Sequence, residues 1–330
     1  MYRFLLLSIC SLLLFSCGSE SSTMADHAAY HNPTVQSLTD AIAATPEDAE
    51  LYYKRSIALS QIDQDSLSLL DLQKAVSIDS TKAQYYQAIG FVQINLGDNK
   101  GAVAAFKRNL QFEPQNATYM LLLAKSLLLD NKLAEAKDWV AKASANRTNY
   151  LEADFMTAQI KAAEKDTMGA IALTRNILER NHTYYDASLQ LADWYKATNN
   201  GDAVSQYQKT FALDTTDATP LYEIARFYEQ AGRLEEAKQA FRTCVISDPD
   251  YSYGYIHYGD ILMKQDSYAK AQRQYEIAIA TDPANADAWY GKGYSYEQQN
   301  QKDSAIRYYG QSLRFDPGLT AARDALKRLK

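Results

Sequence analysis

A chain of 330 residues that is 47% hydrophobic, with only 13 Gly and 7 Pro, can bury a sizeable core and is not disordered by composition. Its formal charge of -6, with no Lys/Arg run or basic stripe, argues against attraction to nucleic-acid phosphate. Four His, no Gly-rich phosphate loop, no HExxH, no Cys-x-x-Cys and no Gly-x-Ser-x-Gly elbow leave few ingredients for catalysis, so no enzyme activity, cofactor, metal site or small-molecule substrate is expected.

Residues 1–16 carry one charge, Arg3, before the apolar run Phe4 to Phe15, which is too short to span a bilayer and suits the core of an export signal. The run closes on Leu14-Phe15-Ser16-Cys17-Gly18. That string resembles a bacterial lipobox, although Phe15 departs from the small or β-branched residue usual there. The resemblance implies cleavage before Cys17, lipid on its sulfur, and a place in the bacterial cell envelope. Gly18 and Ser19, with no Asp beside Cys17, resemble the sorting preference for the outer membrane, with the domain facing the periplasm. The alternative is a signal cut elsewhere, with Cys17 a free thiol.

With Cys10 removed and Cys17 lipidated, Cys244 would be the one thiol left and could form no intramolecular disulfide, so the fold must rest on packing. At 244 it takes a slot that holds Ala or Ser elsewhere and reads as a buried small hydrophobe. Residues 17–32 have no apolar period and read as a flexible tether, the lipid being the chain's link to a membrane. His27 and His31 stand four apart beside Asp26, but no third ligand accompanies them and they read as solvated.

From Pro33 the pattern is helical. Val35, Leu38, Ala41 and Ile42 make an apolar stripe that stops at Thr45-Pro46, a capping helix within 33–48 that looks like the second half of a pair. Further along, Tyr255, Gly259, Ala271, Tyr275, Asp282 and Pro283 recur 34 residues later as Trp289, Gly293, Ala305, Tyr309, Asp316 and Pro317. A step of 34 with these residue types resembles the tetratricopeptide (TPR) repeat. The resemblance implies an all-α fold, a right-handed α-α superhelix of eight repeats at 49–82, 83–116, 117–150, 151–184, 185–217, 218–251, 252–285 and 286–319, closed by a capping helix at 320–330.

Sterics support that register. Where two helices cross, the eighth and twentieth positions of each unit are expected to face each other and to be small. They read Ser56/Ser68, Gly90/Ala102, Ala124/Ala136, Ala158/Ala170, Ala192/Ala203, Ala225/Ala237, Gly259/Ala271 and Gly293/Ala305. The middle is least regular: Lys161, Thr174 and His182 replace the usual types, and the turn at 198–201 is one residue short. Plain drift in a tolerant array accounts for these departures, and the alternative is a bend or a special contact there.

TPR resemblance also implies a concave wall of first helices along which a protein or peptide lies. Tyr53, Phe91, Phe155, Tyr222, Arg226, His257, Tyr290 and Tyr294 are the residues expected to line it. At the fifth and ninth positions only Lys125 and Arg226 are basic, and no Asn ladder runs along the sixth, so neither a carboxylate clamp nor a backbone-holding ladder is present. The expected function is a non-enzymatic scaffold binding an extended peptide with apolar anchors, or a partner helix. A glycan-binding lipoprotein using groove aromatics is the alternative, although Trp139 and Trp289 occupy packing slots and Trp194 lies in the core stretch of its helix.

Overall fold

The computed structural model describes residues 28–148 and 150–329. The signal segment, Cys17 and most of the tether, His27 included, lie outside the described residues. Within them the chain forms eighteen α-helices and no strand, and no helix is long and apolar enough to cross a membrane. Two compact units meet at Met156 and Thr157.

The first unit holds α1 (Pro33–Ala44), α2 (Ala49–Ser60), α3 (Asp65–Ile78), α4 (Ala83–Asn95), α5 (Asn99–Phe112), α6 (Ala117–Leu129) and α7 (Leu133–Asn146), and it ends inside α8 (Leu151–Ala163). The second continues with α9 (Thr167–Arg180), α10 (Tyr185–Ala197), α11 (Ala203–Leu213), α12 (Thr219–Gln230) and α13 (Leu234–Ser247). It closes with α14 (Ser252–Lys264), α15 (Tyr268–Thr281), α16 (Ala286–Gln298), α17 (Lys302–Phe315) and α18 (Thr320–Leu329). From α2 onward, even-numbered helices up to α16 are the first of a pair and odd-numbered ones the second. In the second unit the first helices α14 and α16 also touch directly.

Local chemistry sets the helix ends. Asn32 accepts from the backbone N–H of Thr34 at 3.0 Å and of Val35 at 3.4 Å, and Pro33 has no donor to lose at the first position. Asp98, Asn116 and Asp166 cap α5, α6 and α9 in the same way. Each turn within a pair contains one left-handed residue: Asp63, Gly97, Asn131, Lys165, Asn199, Gly232, Asp266 and Asn300. The residue after each donates its N–H five residues back, as Asp98 does to the Gln93 carbonyl at 2.8 Å, which satisfies carbonyls the helix end would orphan.

These left-handed residues recur every 34 positions except between Asn199 and Gly232, which are 33 apart. The missing residue shortens α11 to 11 residues, against 14 in each other second helix. Asp202 there is already α-helical and makes no side-chain cap, so the deletion removes the helix's first turn.

The small positions are buried, but what closes on them differs from expectation. A Cβ added to Gly90 would meet the Phe106 ring at 2.5 Å, and at Gly259 and Gly293 it would meet Tyr275 and Tyr309 at 2.8 Å. The space given up by the eighth residue is thus filled by the large side chain four after the twentieth, so that ring and not the facing Ala is its nearest neighbour. Ala102, Ala124, Ala136, Ala225, Ala237, Ala271 and Ala305 are all fully buried, as are Ala322 and Ala325 of α18. Leu326 and Leu329 are only partly so.

The tether ends earlier than expected. Ala28–His31 is a 3-10 turn, and Ala29 and Tyr30 are buried against Val35, Ala58 and Leu59. One aromatic needs no periodicity to find a site, which is why the segment's composition concealed it. Beneath it lies a buried ion pair that the sequence pattern did not flag. Arg55 grips Asp71 through Nε–Oδ2 and Nη2–Oδ1, both at 2.7 Å, and its Nη1 donates to Thr39 Oγ1 at 3.1 Å. The guanidinium lies 5.4 Å from the Tyr30 ring centre and 5.7 Å from that of Tyr52, so every face of the cation is occupied.

Candidate functional site: the first-helix faces

In the first unit the ninth positions are open. Ile57 and Phe91 are 40% and 43% exposed, and with Tyr53, Gln61, Gln87 and Ala88 they line a cavity of about 460 Å³. The Phe91 ring stands edge-on to Phe106, with centres 5.6 Å apart, and Tyr53 leans on Tyr85 at 5.1 Å. Phe155 is corrected: only 7% exposed, it is a packing residue, as are Leu121 and Ile256 at the same fifth position. The fifth position lies nearer the helix seam than the ninth, so its apolar members are taken up by the core.

In the second unit the same faces carry a polar network. Tyr207 on α11 donates to Asp193 at 2.6 Å, Tyr275 on α15 to Asp260 at 2.7 Å, and Tyr309 on α17 to Glu297 at 2.5 Å. Lys196 pairs with Glu223. Glu229 receives Arg226 at 2.6 Å and Lys264 at 3.0 Å, and Arg328 binds Glu297 at 2.7 Å. Every cation on this face is therefore neutralised from within. Tyr290 and Tyr294 lie parallel at 6.3 Å, Tyr294 being 37% exposed.

His257, expected to line the open wall, is instead largely enclosed: its side chain is 21% exposed and its ring stacks on Phe241 at 5.6 Å with Tyr222 at the same distance. Arg226 donates to His257 Nδ1 at 3.3 Å, which places the proton of the neutral ring on Nε2. Burial, helped by the Arg226 charge, lowers its pKa to about 4, while partial desolvation raises that of Asp260, 3.6 Å from His257, to about 6.

Opposite pH dependences follow. The folded chain keeps a proton on Asp260 that the unfolded chain sheds above its ordinary 3.8, so this group's contribution falls as pH rises from 3.8 to about 6. The unfolded chain protonates His257 below its ordinary 6.5 while the folded one does not until about 4, so this contribution falls as pH drops through that window. His257→Asn is expected to lose less stability than the parent between about pH 6.5 and about pH 4.5, and Asp260→Asn to lose more; urea midpoints at the two pH values measure both.

Cys244 is buried on α13, with its pKa pushed up to about 12 by burial, and its sulfur lies 3.8 Å from the Ala218 carbonyl. It is an inert packing group. The three Trp are partly buried: Trp289 donates to the Pro283 carbonyl and stacks on Tyr308 and Phe315, Trp139 lies under Lys142, and Trp194 packs beside Leu191 and Tyr195.

Internal comparison of the repeats would have revealed the tyrosine–carboxylate pairs. Asp260/Tyr275 occupy the ninth and twenty-fourth positions, Asp193/Tyr207 are their equivalents in the repeat that is one residue short, and in the repeat between them both change together, to Arg226/Phe241.

Against known families, models described as tetratricopeptide repeat match residues 83–116, 218–251 and 259–320. The chain carries tetratricopeptide repeats. Such repeats act as protein-interaction scaffolds and bind protein partners. The chain is similar to the human Protein O-mannosyl-transferase TMTC3, 31% identical over 26% of this chain and 9% of that protein. It is also similar to the Hsp70-Hsp90 organizing protein of Triticum aestivum, 37% identical over 24% of this chain and 14% of that protein. It thus spans a small part of the length of either relative. Among solved structures, the APC/C hetero-tetramer Cut9-Hcn1 aligns at 18% identity over 89% of this chain and 58% of that one, with a TM-score of 0.49. A tetratricopeptide repeat protein from Parabacteroides merdae aligns at 16% identity over 75% and 98%, with a TM-score of 0.48.

Proposed function

We propose that this chain is a non-enzymatic adaptor that holds a protein or peptide segment against its first helices while a lipid on Cys17 keeps it at the bacterial outer membrane, facing the periplasm. The observation that carries the binding mode is the exposure of large apolar side chains on those helices, Ile57 and Phe91 in one unit and Tyr294 in the other. Side chains of this kind anchor a segment with alternating apolar residues. Neutralisation of Arg226 and Lys264 by Glu229 disfavours recognition of a terminal carboxylate. The lipid rests on the residues around Cys17.

Crosslinked pull-down from the native envelope tests the reading, comparing the parent with Phe91→Ala and Tyr294→Ala. A specific protein captured by the parent and lost from both folded variants is the expected result; a captured set indifferent to both substitutions overturns the groove. Separately, Cys17→Ala should leave the chain folded and move it from the membrane fraction to the soluble one. Retention on salt-washed membranes would refute the anchor alone.

A further inference from the structure

Three of the eight repeats share a bond through a ring that is absent from the repeat at 185–217, as it is where Met120, Asp154 and Leu221 stand, while Tyr255 donates to the Val245 carbonyl instead. At the fourth position of its first helix, Tyr52 donates to the Pro46 carbonyl at 3.2 Å, Tyr86 to that of Ser80 at 3.2 Å, and Trp289 to that of Pro283 at 2.8 Å. In each case an aromatic ring bridges the junction to the preceding helix, its polar tip reaching the carbonyl six residues upstream. The fourth position of the repeat at 185–217 is Ser188, and six residues upstream stands His182.

A pocket of about 440 Å³ opens there, lined by both residues and set among α9, α10 and α11. Leu178, Leu191 and Leu213 give it apolar walls. Its back is polar and rigid: the buried Ser188 hydroxyl lies 2.7 Å from Thr210 Oγ1 and accepts from Gln206 Nε2 at 2.9 Å. The Gln206 side chain, also buried, takes no hydrogen bond on its amide oxygen among the described residues. Loss of the first turn of α11 leaves Asp202 and Ser205 at the mouth instead of under a helix. Ser188, Leu191 and Tyr195 occupy a different stripe of α10 from Asp193 and Lys196, so this pocket is separate from the first-helix wall.

We propose that this pocket binds a phenol or indole ring from outside the chain, which takes the place of the ring missing at Ser188 and donates to the carbonyl of His182. The ring supplies apolar area against the three leucines, and its single donor meets an acceptor that its counterparts use elsewhere in the chain. Such a ring could arrive as a Tyr or Trp side chain of another protein or as a free aromatic amino acid. Arg175 and Lys209 line the pocket together with Glu179 and Asp202, so free tyrosine, which alone brings both an ammonium and a carboxylate, distinguishes the two.

The test is titration of the full chain with N-acetyl-tyrosinamide, N-acetyl-tryptophanamide, N-acetyl-leucinamide and free tyrosine, following the methyl resonances of Leu178, Leu191 and Leu213. The two aromatic amides are expected to shift these methyls with Kd on the order of 0.1–1 mM, and the leucine amide to bind at least about tenfold more weakly. Ser188→Tyr should raise the urea midpoint and abolish the shifts. Should that variant fail to fold, Leu213→Trp closes the pocket from its wall and is expected to do the same. Tighter binding of free tyrosine than of its amide assigns the site to the amino acid; equal or weaker binding assigns it to a protein side chain. No methyl shift up to about 10 mM, equal binding of the leucine amide, or undiminished binding in the filled variants overturns the proposal.

Discussion

Asp71→Ala is expected to destabilise the N-terminal unit by about 3–5 kcal/mol, because it leaves the buried Arg55 guanidinium without its carboxylate. Both side chains are buried, and the pair is bidentate at 2.7 Å with Tyr30, Tyr52 and Thr39 filling the remaining faces. Removing both charges should behave quite differently. Arg55→Met with Asp71→Leu leaves no unpaired ion and is expected to come within about 1 kcal/mol of the parent or to exceed it, as buried pairs replaced by apolar residues often do. In a repeat array stability is roughly a sum of local and nearest-neighbour contributions, so the loss should be regional. Hydrogen exchange would show α2 and α3 losing protection while α15 to α17 keep theirs. A single-variant cost below about 1 kcal/mol would mean that water reaches the guanidinium and that the pair is not the lock described here.

Features repeated along the chain were legible in its sequence, and features that occur once were not. The eighth and twentieth positions could be read because eight copies impose the same steric demand, and the structure buries them throughout. The short turn at 198–201 was legible as a missing residue, but its consequence was not. A deletion can be absorbed by a loop or by a helix, and only the backbone shows that α11 gave up a turn. Arg55 and Asp71 are sixteen apart and appear in one repeat only, so two charged residues in a chain with 22% charged residues carried no signal. His257 was misjudged for a related reason. Its position suggested an open wall, whereas its burial comes from Phe241 of the preceding helix and Tyr222 of the preceding repeat. Thr174 was visible as an exception in a slot otherwise filled by large residues, and its buried hydroxyl has no hydrogen-bond partner among the described residues.

Gly291→Ala is expected to destabilise the C-terminal unit although alanine is the better helix former. Tyr275 is buried between two glycines: an added Cβ at Gly291 would lie 2.4 Å from its Cε1, and one at Gly259 would lie 2.8 Å from the same atom. The ring cannot retreat from one helix without meeting the other, and its hydroxyl is held by Asp260 at 2.7 Å. Overpacking of this kind costs about 1–3 kcal/mol or more, against about 1 kcal/mol gained from helix propensity, for a net loss of about 1–2 kcal/mol. Tyr275→Ala, which empties the slot, should cost more, about 3–5 kcal/mol by comparison with other large aromatic deletions. The decisive case combines the sites. In a Tyr275→Leu background the flat ring is gone, so Gly291→Ala should change sign and stabilise by up to about 1 kcal/mol, giving a coupling energy within the 0.5–3 kcal/mol range that contacting residues show. In the neighbouring repeat the same sixth position holds His257, which lies flat on Phe241 at an interplanar angle of 14°, whereas at 291 glycine lets the Tyr275 ring come up against the helix backbone. Urea unfolding of the four proteins measures the cycle, and equal effects of Gly291→Ala in both backgrounds would show that the Tyr275 ring is not what requires glycine there.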